Sequence, residues 1–216
     1  MKRIVVLASG AGSNLQALID AVQAGELRAS IAAVISDRRG AGALQRAERA
    51  GIPAVTVSLE DRRSAAARAA FEERLASEIA AFAPDLVVLA GWMLILGEPV
   101  LERYQGRVIN VHPALLPDGP EDLVESSRGP VPALRGAHAV RDALRQGLPL
   151  TGATVHVVTP VVDTGPVLLR EEVPILEGDD PDRLHNRIKR VEHVLLPRAV
   201  ALALQSQATE ECSWRA

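Results

Sequence analysis

The chain has 216 residues, 48% hydrophobic and 24% charged, with a formal charge of −3 at pH 7. Such a composition fills a sizeable core and excludes a disordered or fibrous chain. The mildly acidic balance leaves no broad basic field for nucleic acid. The single cysteine, Cys212, excludes an internal disulfide framework and a cysteine-based zinc site.

Residues 4–8 (Ile-Val-Val-Leu-Ala) form a short β-branched run of the kind buried in a parallel strand. The run is too short for a secretory signal, and no stretch approaches the ~18 apolar residues of a membrane span. Cytoplasmic residence is therefore expected. Ser9-Gly10-Ala11-Gly12-Ser13 breaks the strand, and Leu15, Leu18, Ile19 and Val22 then mark one helical face that ends at Gly25. A strand over 31–36, a helix over 41–50 and a strand over 54–57 follow. A long helix carries Phe71, Leu75, Ile79 and Phe82, and 86–90 is another buried strand. Strands alternating with helices in this way predict an α/β fold, doubly wound around a mainly parallel sheet.

The second part is less regular. Residues 108–111 form a strand that runs into His112-Pro113, and the proline-rich stretch 114–135 reads as a long loop, functional, mobile or both. A helix over 138–146 precedes two strands, 154–159 and 167–175, joined through Val162-Asp163-Thr164-Gly165 and read as an antiparallel addition. A last helix shows Leu184, Ile188, Val191 and Leu195 on one face, and 207–216 reads as a frayed tail. The whole is expected to be one domain. Residues 1–105 form its phosphate-binding half and 106–206 complete the sheet.

Three places carry candidate chemistry. Helix N-termini offer unpaired N–H groups and partial positive charge, so the amides of Gly12, Ser13 and Asn14 suit a phosphate. The competing reading is a tight turn with Asn14 as N-cap. Asn110 and His112 alternate onto one face at the carboxyl end of a strand, where open α/β sheets bind ligands. An amide beside an imidazole polarises a carbonyl and moves a proton, although on spacing alone a strand-end histidine held by backbone bonds is the better reading. Asp163 is explained by Asx-turn chemistry or, if it meets His112, by raising that imidazole's pKa. His138, His156, His185 and His193 show no metal-ligand spacing and read as structural or surface residues.

Together these segments resemble the phosphoribosylglycinamide formyltransferases. The segments that carry the likeness are 4–16, Ala83-Pro84-Asp85 through Met93, Asn110-Val111-His112-Pro113-Ala114-Leu115-Leu116-Pro117, Gly152-x-Thr154-Val155-His156, Val162-Asp163-Thr164-Gly165-Pro166 and Arg190-Val191-Glu192-His193. The resemblance implies a formyl transfer from 10-formyltetrahydrofolate to the amine of glycinamide ribonucleotide. Asn110, His112 and Asp163 would be catalytic, with Asp163 raising the pKa of His112. It places the ribonucleotide on Gly12, Ser13, Asn14, Lys189 and Glu192. It places the folate on Arg68, Met93, Leu94, Ile95, Leu96, Asn110 and Thr159. Small-molecule substrates are implied, with no metal, nucleic acid or membrane partner, in a monomer or homodimer. The alternatives are a formyltetrahydrofolate hydrolase, another formyltransferase of the same fold, or a non-catalytic phosphate-ligand module. The family's usual Phe-Pro-Gly is Leu134-Arg135-Gly136 here. It follows an insertion, 118–132, expected to act as a lid over the folate cleft or to be disordered.

Overall fold

The computed structural model describes residues 1–213, with side chains through residue 206. Its first half runs β1 (Lys2–Leu7), α1 (Ser13–Gln23), β2 (Ala29–Ser36), α2 (Gly42–Arg49), β3 (Ala54–Thr56), α3 (Ala65–Ala81), β4 (Leu86–Leu89), α4 (Glu98–Leu101) and β5 (Val108–His112). Then come β6 (Leu123–Val124), β7 (Val131–Pro132), α5 (Ala139–Arg145), β8 (Leu150–Val157), β9 (Val167–Pro174) and α6 (Pro181–Ser213).

One sheet in the order β3-β2-β1-β4-β5-β8-β9 organises the chain. The strands from β3 to β5 are parallel, while β8 pairs antiparallel with β5, and β9 antiparallel with β8. This is the expected doubly wound fold with its antiparallel addition. Strand order reverses between β1 and β4, the place where such sheets open a crevice.

Alternation along the strands divides the core. Ile4, Val6, Ile109 and Val155 lie under α1, α2 and α6 through Leu18, Leu44, Ile188 and Leu196. Val5, Leu7, Val87 and Val108 lie under α3 and α4 through Phe71, Leu75, Ile79 and Val100. Burial of each large apolar side chain contributes about 1.5–3 kcal/mol. Ser64 caps α3 by accepting from the Ala67 N–H at 3.1 Å.

Two expectations are corrected. Residues 114–135 are not a structureless lid, because 118–132 folds into the β6–β7 ribbon, pairing Leu123 with Pro132 and Val124 with Val131. Val124 and Val131 are buried with Leu115 and Leu150, and the Ser127 N–H donates to Glu172 on β9 at 2.7 Å. A ribbon of two-residue strands is too short for a legible period, so its order comes from what it docks on. The second concerns the tail: α6 continues to Ser213, while 214–216 lie outside the described residues. Among the described residues, no helix is long and apolar enough to cross a membrane.

Candidate active site

On β5, Ile109 and Val111 face α6, whereas Asn110 and His112 face the opposite side. The antiparallel register sets Asn110 opposite His156 and His112 opposite Thr154. A continuous row therefore crosses the sheet through Leu7, Leu89, Asn110 and His156. The loop after β1, the loop after β4 and the polar cluster all lie at this edge.

Asp163 closes the cluster from the loop between β8 and β9. Its Oδ2 lies 3.5 Å from His112 Nδ1 and its Oδ1 lies 3.4 Å from His156 Nε2. Asn110 Nδ2 is 3.2 Å from the same His156 nitrogen. His156 Nδ1 faces the Val157 carbonyl at 3.0 Å. At the other end of the ring, Nε2 lies between the Asn110 amide and the Asp163 carboxylate. The three residues expected to act together are thus joined, with His156 as the link. His156 is buried in the site and is no surface histidine. Its signal was its place two residues after Thr154 on a strand, but only the β5–β8 register showed what it faces.

Burial is the largest influence on His112 and takes its imidazole below the ordinary value. The Asp163 charge and the Leu134 carbonyl, 2.7 Å from Nε2, act the other way. The expected raising by Asp163 is therefore present but outweighed by desolvation. Burial also opposes ionisation of Asp163. The His156 hydrogen bond, the His112 charge and the Gly136 N–H nevertheless hold its carboxyl down to about 2. At neutral pH the site holds an ionised carboxylate beside an imidazole that burial biases toward its neutral form.

At the start of α1, Gly12 occupies the cap position with φ 77° in the left-handed region, and a Cβ there would lie 2.7 Å from the Ala43 Cα. Asn14 is therefore not the N-cap. Its Nδ2 instead donates to Glu192 Oε2 on α6 at 2.9 Å, and its buried Oδ1 has no protein partner. Burial raises the Glu192 pKa; the Asn14 hydrogen bond and the charge of Lys189, one turn earlier on α6, lower it. Ser13 is half-buried beside them. The amides of α1, Asn14, Lys189 and Glu192 make a polar station suited to an anion and to hydroxyl groups.

The expected folate positions gather around the loop after β4. Arg68 on α3 bonds Glu72 and the Ile95 carbonyl, and the Met93 N–H donates to Ser9 Oγ at 3.0 Å. Met93 and Ile95 are exposed, Leu94 is half-buried, and Leu96 turns into the core. The loop after β8 presents exposed Val161 and Val162, and the Thr159 hydroxyl donates to the Val161 carbonyl. Val158, at the start of that loop, packs in the cluster that holds Leu94. Exposed apolar side chains on two loops suit a flat heterocycle.

A doubly wound α/β sheet with a buried His–Asp pair at its strand ends and free helix amides beside the crevice is an arrangement in which α/β enzymes bind small molecules. The formyl transferase model matches residues 2–200, and the chain belongs to that family. Phosphoribosylglycinamide formyltransferase of Mycobacterium tuberculosis (strain ATCC 25618 / H37Rv) is 46% identical over 199 residues, covering 92% of this chain and 83% of the relative. The crystal structure of glycinamide ribonucleotide transformylase 1 from Symbiobacterium toebii is similar with a TM-score of 0.83 and 40% identity, over 95% of this chain and 89% of that one. A formyltetrahydrofolate deformylase from Pseudomonas syringae pv. tomato is also similar, with a TM-score of 0.79 and 28% identity, over 95% of this chain and 62% of that one.

Proposed function

We propose that the chain transfers the formyl group of 10-formyltetrahydrofolate to the primary amine of glycinamide ribonucleotide, in purine biosynthesis. The observation that carries this is the Asn110–His156–Asp163–His112 cluster on the same sheet edge as the α1 station. The identity to phosphoribosylglycinamide formyltransferases supports it.

The folate supplies the formyl carbon, activated by a nitrogen leaving group. In the transfer the bond from that nitrogen to the formyl carbon breaks and a bond from the substrate amine forms. One proton passes from the amine to the departing nitrogen. Asn110 offers its amide N–H to the oxyanion that develops on the formyl oxygen. His112 carries the proton, and the ionised Asp163 stabilises the imidazolium while it does so. The ribonucleotide phosphate rests on the amides of Gly12, Ser13 and Asn14 with Lys189, and Glu192 accepts from its hydroxyl groups. The pteridine lies between the 93–96 and 159–163 loops, with Arg68 at its rim. These small-molecule substrates meet in the cytoplasm in a monomer or homodimer.

The test is a steady-state assay with 10-formyl-5,8-dideazafolate, with and without glycinamide ribonucleotide. Turnover that depends on the ribonucleotide supports the proposal. Turnover without it favours hydrolysis of the formyl donor, and no turnover in either tube overturns both.

A further inference from the structure

Three consecutive residues after the inserted hairpin touch the acid–base group. The Leu134 carbonyl accepts from His112 Nε2 at 2.7 Å, and the Gly136 N–H donates to Asp163 Oδ2 at 2.7 Å. Between them, Arg135 Nε donates to the main-chain carbonyl of Asp163 at 3.2 Å. The other arm of its guanidinium donates to the carbonyls of Glu121 at 2.6 Å and Gly119 at 3.4 Å, at the base of the β6–β7 ribbon. The Arg135 side chain is only 22% exposed, whereas the carboxylate of Asp122, 3.6 Å away, is 98% exposed and adds little.

Asp163 needs holding. Its φ of 54° lies in the left-handed region, which a residue with a side chain keeps only when its surroundings enforce it. Val161 and Val162 are exposed and give the loop no packed anchor there. The hydroxyls of Thr159 and Thr164 bond within the loop, to the Val161 carbonyl. The ribbon, by contrast, is anchored: Val124 and Val131 are buried, Ser127 bonds Glu172, and Asp118 accepts from the Val167 N–H at 2.9 Å. Arg135 joins the poorly anchored loop to the well anchored ribbon.

We propose that Arg135 is a positioning residue, whose guanidinium uses the inserted hairpin 118–132 as a strut to fix Asp163 against His112 and His156. Its activity readout rests on the formyl-transfer reading; its spectroscopic readout does not. The groups facing His112 are Asp163 from the β8–β9 loop, His156 from β8, and Arg135 and the Leu134 carbonyl from the segment after the ribbon. Asp163 and Leu134 favour the imidazolium, whereas His156 and Arg135 disfavour it. Lysine at 135 keeps the cation but loses the planar fork that spans two carbonyl sites. In Arg135→Lys the repulsion therefore stays while the hold on Asp163 loosens, and His112 titrates at lower pH.

The experiment compares Arg135→Lys, Arg135→Met, a chain with 123–132 replaced by a short Gly-Ser turn, and that deletion combined with Arg135→Met. Thermal melts establish that each is folded, and Arg128→Ala at the ribbon tip serves as the control with unchanged kcat. Both Arg135 variants are expected to lose about tenfold or more in kcat, with both KM values little changed, because small displacements near the chemistry cost about that much. The shortened ribbon should lose as much as Arg135→Met, and the combination no more, since they break the same strut. By NMR, the His112 ring of Arg135→Lys, assigned against His112→Asn, should titrate below its wild-type position. Wild-type kcat with an unmoved His112 titration overturns the proposal, and so do additive losses in the combined variant. If the wild type shows no ribonucleotide-dependent transfer, the formyl-transfer reading fails instead. The NMR shift then decides the strut alone, an unmoved titration overturning it.

Discussion

The two faces of the β5–β8 pair are built on the same register and serve opposite ends. On one face Ile109, Val111, Ala153 and Val155 lie in the large cluster beneath α6. On the other, Asn110, His112, Thr154 and His156 meet the 134–136 segment and the β8–β9 loop instead of a helix. Their polar atoms are satisfied one by one: Thr154 Oγ1, for example, donates to the Ala114 carbonyl at 2.8 Å and accepts from the Leu116 N–H at 3.0 Å. The apolar face tolerates any occupant of the right volume. The polar face depends on each partner, because a buried polar group that loses one bears its full desolvation cost.

The sharpest way to break this contrast is at the acid–base group. His112→Ala and Asp163→Asn are expected to lower kcat by at least ~10² while the fold persists, the usual size of acid–base help. Wild-type turnover in both would remove the catalytic role from this face. The complementary substitution is Ile109→Ala, directly behind Asn110 and His112 and fully buried. It should cost about 2–5 kcal/mol in denaturant unfolding and leave kcat of the folded enzyme near wild type. A large loss of kcat with little loss of stability would mean that the faces are not separable.

Glu192→Gln tests the same principle at the α1 station. Burial raises the Glu192 pKa above its unfolded value, so the charged form disfavours folding once pH rises through the ordinary carboxylate range. At neutral pH the glutamine should melt higher, by about 2–4 °C for each kcal/mol relieved. It should also raise the ribonucleotide KM by about tenfold, the size of one charge-assisted hydrogen bond. A lower melting temperature would contradict the assigned cost.

The smallest effect is the acid dependence of stability. Asp163 is held down to about 2, below its ordinary value, so its contribution is fully present above the unfolded pKa. It should be lost as pH falls from about 4 toward 2, and Asp163→Asn should lack that component of acid unfolding. Parallel acid profiles for the two proteins would show that the carboxylate gains nothing from His112 and His156.

Periodicity located β1 to β5 and the helices α1 to α3, though not the single turn α4, because a buried parallel strand is a continuous apolar run and a covering helix shows one apolar stripe. It also set Asn110 and His112 on one face, since alternation is a local property of a strand. The motif likeness grouped Asp163 with His112 and put Glu192 in the ribonucleotide set. What chain order does not contain is which distant groups meet and how dry the meeting place is. Asn14 reaching Glu192 in place of capping α1, His156 linking Asn110 to Asp163, and burial outweighing Asp163 at His112 all depend on that. The ribbon within 118–132 and its Arg135 tie have the same origin, in docking rather than in local propensity. Local propensity and alternation are written residue by residue, so the sequence by itself determined the layers and the residue types at the sheet edge. Electrostatics and hydrogen-bond satisfaction act through space, so the tertiary structure decided which of those residues meet.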